Sequence, residues 1–203
     1  FLKWERETQM KIDPVRLVIE GDRIKLRKLR LSDVGSLCEH VNDREVTRWT
    51  LNIPYPYSTT AGVRFVRHTR YSIRKGKGYA LGIVLKDTNK VIGVVDLFGV
   101  DVKNKKAELG YWLGRRYWGR GIMTEAVVLM LEFGFEFLDL HRIYARVFEE
   151  NVASKRVLEK TGFKLEGKSR HEIYKYGKWW DLLRYSILEG EYRVRKGRKD
   201  SRR

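Results

Sequence analysis

The stretch that most restricts the fold is residues 106–137, KAELGYWLGRRYWGRGIMTEAVVLMLEFGFEF. An apolar run, 106–114, leads to two glycines one residue apart, Gly119 and Gly121, and a helical pattern begins at once. Ile122, Ala126, Met130, Phe133 and Phe137 recur at helical spacing, so residues 121–137 predict a long, largely buried helix. Glycine is costly in ordered structure because it surrenders more backbone freedom than any other residue. Two of them at a helix start mean either that the turn is tight or that the backbone must come close to something.

The flanking sequence completes a layered domain. Residues 23–29, RIKLRKL, alternate apolar and basic and read as a half-buried strand. LSDVGSLCEHVND predicts a helix capped by Ser32 or Asp33. After the loop LNIPYPYSTT (51–60), Thr59 or Thr60 starts a second helix that runs to about residue 74. YALGIVLK and VIGVVDLFGV, joined by DTNK, read as an antiparallel hairpin, and the run 106–114 follows them. Beyond the long helix, RIYARVF is a strand and NVASKRVLEKTG a short helix stopped by Gly162. FKLEGKSRHEIYKYG and KWWDLLRYSIL form a last hairpin around Gly177. The predicted order is strand, two helices, three strands, helix, strand, helix, two strands: a mixed α/β domain, mostly antiparallel in its N-terminal half.

At 203 residues the chain suits one sizeable domain. We expect an N-terminal extension over 1–21, the domain over 22–190, and a basic tail over 191–203. The tail, EYRVRKGRKDSRR, carries seven Lys/Arg against two acids and reads as a solvated, partly disordered end. Its alternative is an electrostatic arm for ribosomal RNA or another polyanion. The net charge of +17 attracts polyanions, yet no RNA- or DNA-binding motif is recognisable. No run of eighteen apolar residues exists to span a membrane. The segment FLKWERETQMKID lacks the apolar stretch of a signal peptide, which places the expected location in the cytoplasm. The single cysteine, Cys38, lies among apolar neighbours in LCEHV, so we expect a buried thiol in a reducing compartment. Abundant Lys, Arg and Glu also resemble a thermophile's composition.

A helix N-terminus offers unpaired N–H groups and the positive end of its dipole, and so binds phosphate. Gly119 and Gly121 let successive amides converge on an anion, with Arg115, Arg116 and Arg120 adding charge. The alternative is a tight strand-to-helix turn with incidental arginines. The loop itself fits neither G-x-x-x-x-G-K-[ST] nor G-x-G-x-x-G. The residues instead fit R-x-x-G-x-G, as Arg116, Gly119 and Gly121. This resembles the pyrophosphate loop of the GNAT acetyltransferases. Downstream, NVASKRVLEKTGF (151–163) is similar to that family's second signature, especially in its RimJ/RimL-like branch, as is AELGYWLGRRYWGRGIMTEAV. The resemblance runs from about residue 22 to residue 188.

The resemblance implies a mostly antiparallel sheet with helices on both faces and a V-shaped splay between two central strands, here 106–114 and 142–148. It implies acetyl-CoA as cosubstrate, held by Arg116, Tyr117, Trp118, Gly119, Arg120, Gly121 and Ile122. Amides near Trp112 and Leu113 would bond the pantetheine arm and face the thioester carbonyl, where a donor stabilises the developing oxyanion. Asn151 and Ser154 match a pair that touches the cofactor from the other side, although Asn151 is also a good N-cap. Glu108, which interrupts an apolar strand, matches a glutamate that takes the amine's proton directly or through water. The competing reading is that Glu108 pairs with an arginine and supports the sheet. Where many relatives place a tyrosine as general acid, this chain has Leu158. Ser154 is the implied substitute, or the thiolate takes its proton from solvent. His141 and His171 read as structural, and no metal-ligand spacing appears.

The acceptor is less legible. Loop 51–60, with Tyr55 and Tyr57, and hairpin 169–181, with Tyr174, Trp179 and Trp180, would flank its groove or belong to core and rim. The leading expectation is acetylation of a protein N-terminal amine of ribosomal-protein type, by a monomer or homodimer whose basic surface and tail could engage ribosomal RNA. The alternatives are a small-amine enzyme (polyamine or aminoglycoside-like) and a non-catalytic ribosome-associated protein. A dicationic polyamine would want an acidic groove, and loop 51–60 contains no acid.

Overall fold

The alternation in RIKLRKL becomes a strand in the computed structural model, which describes residues 12–13 and 17–200. Ile24 and Leu26 are fully buried, whereas Lys25 and Lys28 are half-exposed. Arg27 is buried too, held by a two-pronged bond to Asp33 at 2.7 and 2.9 Å. This strand is the third of nine: β1 (Ile12–Asp13), β2 (Val18–Glu20), β3 (Ile24–Lys28), β4 (Gly78–Leu85), β5 (Val91–Asp101), β6 (Lys106–Leu113), β7 (Arg142–Phe148), β8 (Lys164–Lys175) and β9 (Lys178–Leu188). They form one sheet in the order β1-β2-β3-β4-β5-β6-β7-β9-β8. Every pairing is antiparallel except β6 with β7.

That parallel pairing is short. It joins Lys106 to Arg142, Ala107 to Ile143 and Glu108 to Tyr144, and then stops. Both strands continue, β6 to Leu113 and β7 to Phe148, so they part into the expected V.

Helices cover both faces. On one lie α1 (Val34–Val41), α2 (Arg44–Thr47) and α3 (Thr59–Arg74). Val34, Leu37 and Val66 there pack on Ala80, Val84, Val91 and Val94. Ser58, one residue ahead of the expected start, caps α3 by accepting from Ala61 N–H. On the other face are α4 (Ile122–Glu132), α5 (Val152–Thr161) and α6 (Glu189–Asp200). They bury Val127, Met130 and Leu158 against Leu97, Leu109 and Ile143.

Four expectations are corrected. The last turn of the long helix, Phe133–Phe137, is π-helical, and its wider winding turns Phe137 outward to half exposure, stacked on Phe133. The sheet begins before residue 22, because β2 pairs with β3 and buries Ile19; most of the expected 1–21 extension lies outside the described residues. The tail is helical through Asp200 rather than partly disordered: Tyr192 is buried and stacks on Phe135 at 4.9 Å, and Lys196 bridges Glu132 and Glu136. Residues 201–203 lie outside the described residues. Finally, Cys38 is half-buried, since it sits at the margin of the α1–α3 cluster.

Candidate active site

The glycine pair sits where β6 turns into α4. Gly119 and Gly121 have φ of +72° and +73°, left-handed values that side chains resist. A Cβ on Gly119 would meet nothing within 4 Å, and one on Gly121 only the Arg23 side chain at 3.5 Å. Conformation therefore demands glycine here, and the absent side chains leave open space over the start of α4. Arg23 braces the loop from behind, donating to Arg120 O at 2.7 Å and to Glu125 at 2.9 Å.

That open space belongs to a cavity of about 420 Å³ that passes between the parted strands. Of the expected loop residues, Tyr117, Trp118, Gly119, Gly121 and Ile122 line it. Arg116 and Arg120 stand outside the lining. Arg116 turns to Glu39 at 2.8 Å and His40 at 3.2 Å, and Arg115 faces Asp43 at 3.8 Å. Burial holds His40 below the ordinary histidine value, which suits a neutral ring beside a guanidinium. The cations that do line the cavity are Arg146, Arg156 and Lys160, and no carboxylate joins them. Arg156 and Lys160 lie on α5 and were missed by sequence reasoning; their spacing of four residues on one helix was the available signal.

The strand edge corrects another expectation. Bonds in an antiparallel ladder alternate. Gly114 N–H donates to Ile92 O, and Trp112 stands opposite Val94 two residues back. Trp112 therefore spends its amide on β5, and the amides that face the opening are those of Tyr111 and Leu113. The Leu113 carbonyl is taken by Trp118 Nε1 at 2.7 Å.

Across the gap, Asn151 caps α5: its Oδ1 accepts from Ser154 N–H at 3.1 Å. Ser154 Oγ lies 2.7 Å from Tyr111 Oη, and both residues line the cavity. Leu158 is wholly buried in the core. Sequence reading took Tyr111 as one more apolar member of a strand, because its partner is 43 residues away.

Glu108 meets the competing reading halfway. It is buried, and both its oxygens bind Arg146, at 2.8 and 3.3 Å. Arg146 also reaches Glu172 at 3.3 Å and is the member of this trio that lines the cavity. These carboxylates hold the guanidinium firmly charged, Glu108 foremost. One strand away, Asp96 stands opposite Gly110, which lines the cavity. Its Oδ1 is buried without a hydrogen-bond partner, and burial pushes the carboxyl up to about 7. It too escaped the sequence reading, where it sat inside an apolar run.

At its other end the cavity is lined by Val46, Trp49 and Thr50, from α2 and the turn after it, ahead of the loop 51–60 that sequence singled out. The hairpin aromatics divide. Trp180 is buried against Phe148 and Trp49, whereas Tyr174 and Trp179 are exposed at the surface. Lys175 ties the hairpin to the mouth by donating to Thr47 O and Thr50 O.

A strand pair that opens beside a left-handed glycine turn at a helix start, with cations and free strand amides around one elongated cavity, defines a transferase built to hold an acyl-coenzyme A. Residues 23–164 match the acetyltransferase (GNAT) domain, and the chain belongs to that family. A Bacillus subtilis relative, YdaF, whose name assigns it provisionally as a ribosomal N-acetyltransferase, is 30% identical over 85% of this chain and 94% of its own. The spermidine N(1)-acetyltransferase of Escherichia coli is 25% identical over 83% of this chain and 88% of its own. The structure of Mycobacterium smegmatis RimJ in complex with CoA-disulfide superposes with a TM-score of 0.75 at 25% identity, covering 86% of this chain and 90% of that one. The chain is an acetyl-CoA-dependent N-acetyltransferase with acetyl-CoA as cosubstrate. Among the described residues no helix is long and apolar enough to cross a membrane, and no cluster of three or more His, Cys, Asp or Glu could hold a metal.

Proposed function

We propose that the acceptor is a protein N-terminal α-amine, in keeping with the similarity to YdaF, whose name points to a ribosomal acceptor. The observation that carries this reading is the charge of the cavity, which is lined by three cations and no acid. A peptide N-terminus brings one ammonium and a train of backbone polar groups. A polyamine brings several positive charges, and the lining itself offers no carboxylate to receive them. The similarity to a spermidine acetyltransferase supports the small-amine alternative.

In this reading the amides of residues 119–122 hold the diphosphate, with Arg156 and Lys160 adding charge, and the Tyr111 and Leu113 amides hold the arm and the thioester carbonyl. Glu108 takes the amine's proton through water, behind the guanidinium that it orients. Thiol release measured across peptide N-termini and polyamines tests the acceptor. Peptides should be used at least tenfold better in kcat/KM, and a preference for spermidine overturns the proposal. Glu108→Gln should lower kcat about 100-fold with CoA affinity unchanged; an unaltered rate and pH profile would remove Glu108 from proton transfer.

A further inference from the structure

We propose that Tyr111 is a positioning residue that aims the hydroxyl hydrogen of Ser154 into the cavity, where it bonds the sulfur of the departing thiolate. This rests on the acetyl-transfer reading above and adds a residue to it.

The distance of 2.7 Å between Tyr111 Oη and Ser154 Oγ does not say which oxygen donates. The surroundings do. The phenol is partly buried, and desolvation raises its pKa above the ordinary tyrosine value, so it stays neutral and keeps its one hydrogen. Among the described residues, the acceptors it reaches are both on Ser154: Oγ at 2.7 Å and the backbone oxygen at 3.4 Å. A serine that donated to the phenol would displace that hydrogen from its better acceptor. Tyr111 therefore donates, and the hydrogen on Ser154 Oγ must point elsewhere. Ser154 is itself fixed, because its backbone N–H is bound by Asn151 Oδ1 in the first turn of α5. Since Ser154 lines the cavity, that hydrogen is free to turn toward whatever lies there.

The chemistry is a hydrogen bond and not an acid's proton transfer. An aliphatic hydroxyl is a far weaker acid than a thiol, so Ser154 would not surrender its proton to a thiolate. When the carbon–sulfur bond breaks, the electron pair stays on sulfur, and a preset donor stabilises the charge that develops there. Solvent then protonates the thiolate, and the amine's proton leaves by Glu108 and water. Tyr111 and Ser154 end the cycle as they began. Leu158, fully buried and apolar, has no hydrogen to offer, so the pair fills a role that would otherwise be vacant.

The test is a double-mutant cycle on the full chain, with kcat read by thiol release from acetyl-CoA and CoA affinity by calorimetry. Tyr111→Phe and Ser154→Ala should each lower kcat about tenfold and leave CoA affinity within about twofold. The double variant should be no slower than Ser154→Ala alone, since Tyr111 acts only through Ser154. A merely structural phenol would give additive losses, or a loss of cofactor affinity in place of rate, and either result overturns the proposal. So does a Tyr111→Phe variant with the wild-type rate, which leaves the acetyl-transfer reading intact. Should Tyr111→Phe fail to fold, an unchanged rate in Ser154→Ala is the overturning result and a tenfold loss there the supporting one. A wild-type chain that releases no thiol with any amine sinks both readings together.

Discussion

The two ends of the cavity are made of different material. The end proposed for the cofactor is built largely from backbone: the left-handed turn at Gly119 and Gly121, the first amides of α4, and the edge of β6 where β7 has pulled away. The end proposed for the acceptor is built from side chains: Val46, Trp49, Thr50 and Arg146, brought together from α2, the turn after it and β7, with Arg146 set by partners on β6 and β8. Amides can bind a diphosphate in any chain that holds the same turn, so the first end is generic. The second is particular to this chain, because each group there depends on a neighbour distant in sequence.

Breaking the backbone end should have the largest effect. Gly121→Glu forces a side chain into left-handed φ and sets a carboxylate where the diphosphate belongs. Affinity for CoA should fall about 100-fold or more, and the thermal stabilisation that CoA gives the wild type should vanish. Retained stabilisation would reduce the loop to a turn. At the side-chain end, Trp49→Ala should raise the acceptor KM about tenfold while leaving acetyl-CoA affinity within about twofold, because only the mouth loses a wall. Equal losses for both substrates would erase the distinction between the ends.

The smallest effect concerns Asp96, behind the acceptor face. Its carboxyl is raised from 3.8 to about 7 by burial, so folding favours the protonated form. The stability this contributes is fully present below about pH 4 and is lost as pH rises to about 7. Asp96→Asn cannot lose it. The variant should therefore gain a few degrees of Tm relative to wild type on going from pH 4 to pH 8. A constant difference between the two pH values would mean that the carboxyl is ionised at little penalty.

The same contrast explains what the sequence disclosed. Gly119, Gly121, Gly162 and Asn151 act through backbone geometry within a few residues, so their spacing was enough to place the turn, the helix stop and the cap. Apolar periodicity placed β3 to β9, whereas the splay between β6 and β7 came from the family resemblance. The partners of Glu108 and Tyr111 were not legible, since a strand pattern records which face a residue takes and not which side chain comes to meet it. Arg116 shows the converse: it fits a local pattern, yet a glutamate on α1 draws it away from the cavity. The docking of α6 was hidden because Tyr192 is a lone apolar anchor in a segment dominated by charge, and composition outvoted it.

That last helix does more than carry charge. Tyr192 rests on Phe135, and Arg195 donates to the carbonyl of Lys160 at the far end of α5. The basic C-terminus is thus a buttress behind one wall of the cavity. Trimming the chain at residue 188 would take this support from the helix that bears Ser154, Arg156 and Lys160, so a deletion intended to probe electrostatics would also disturb that wall.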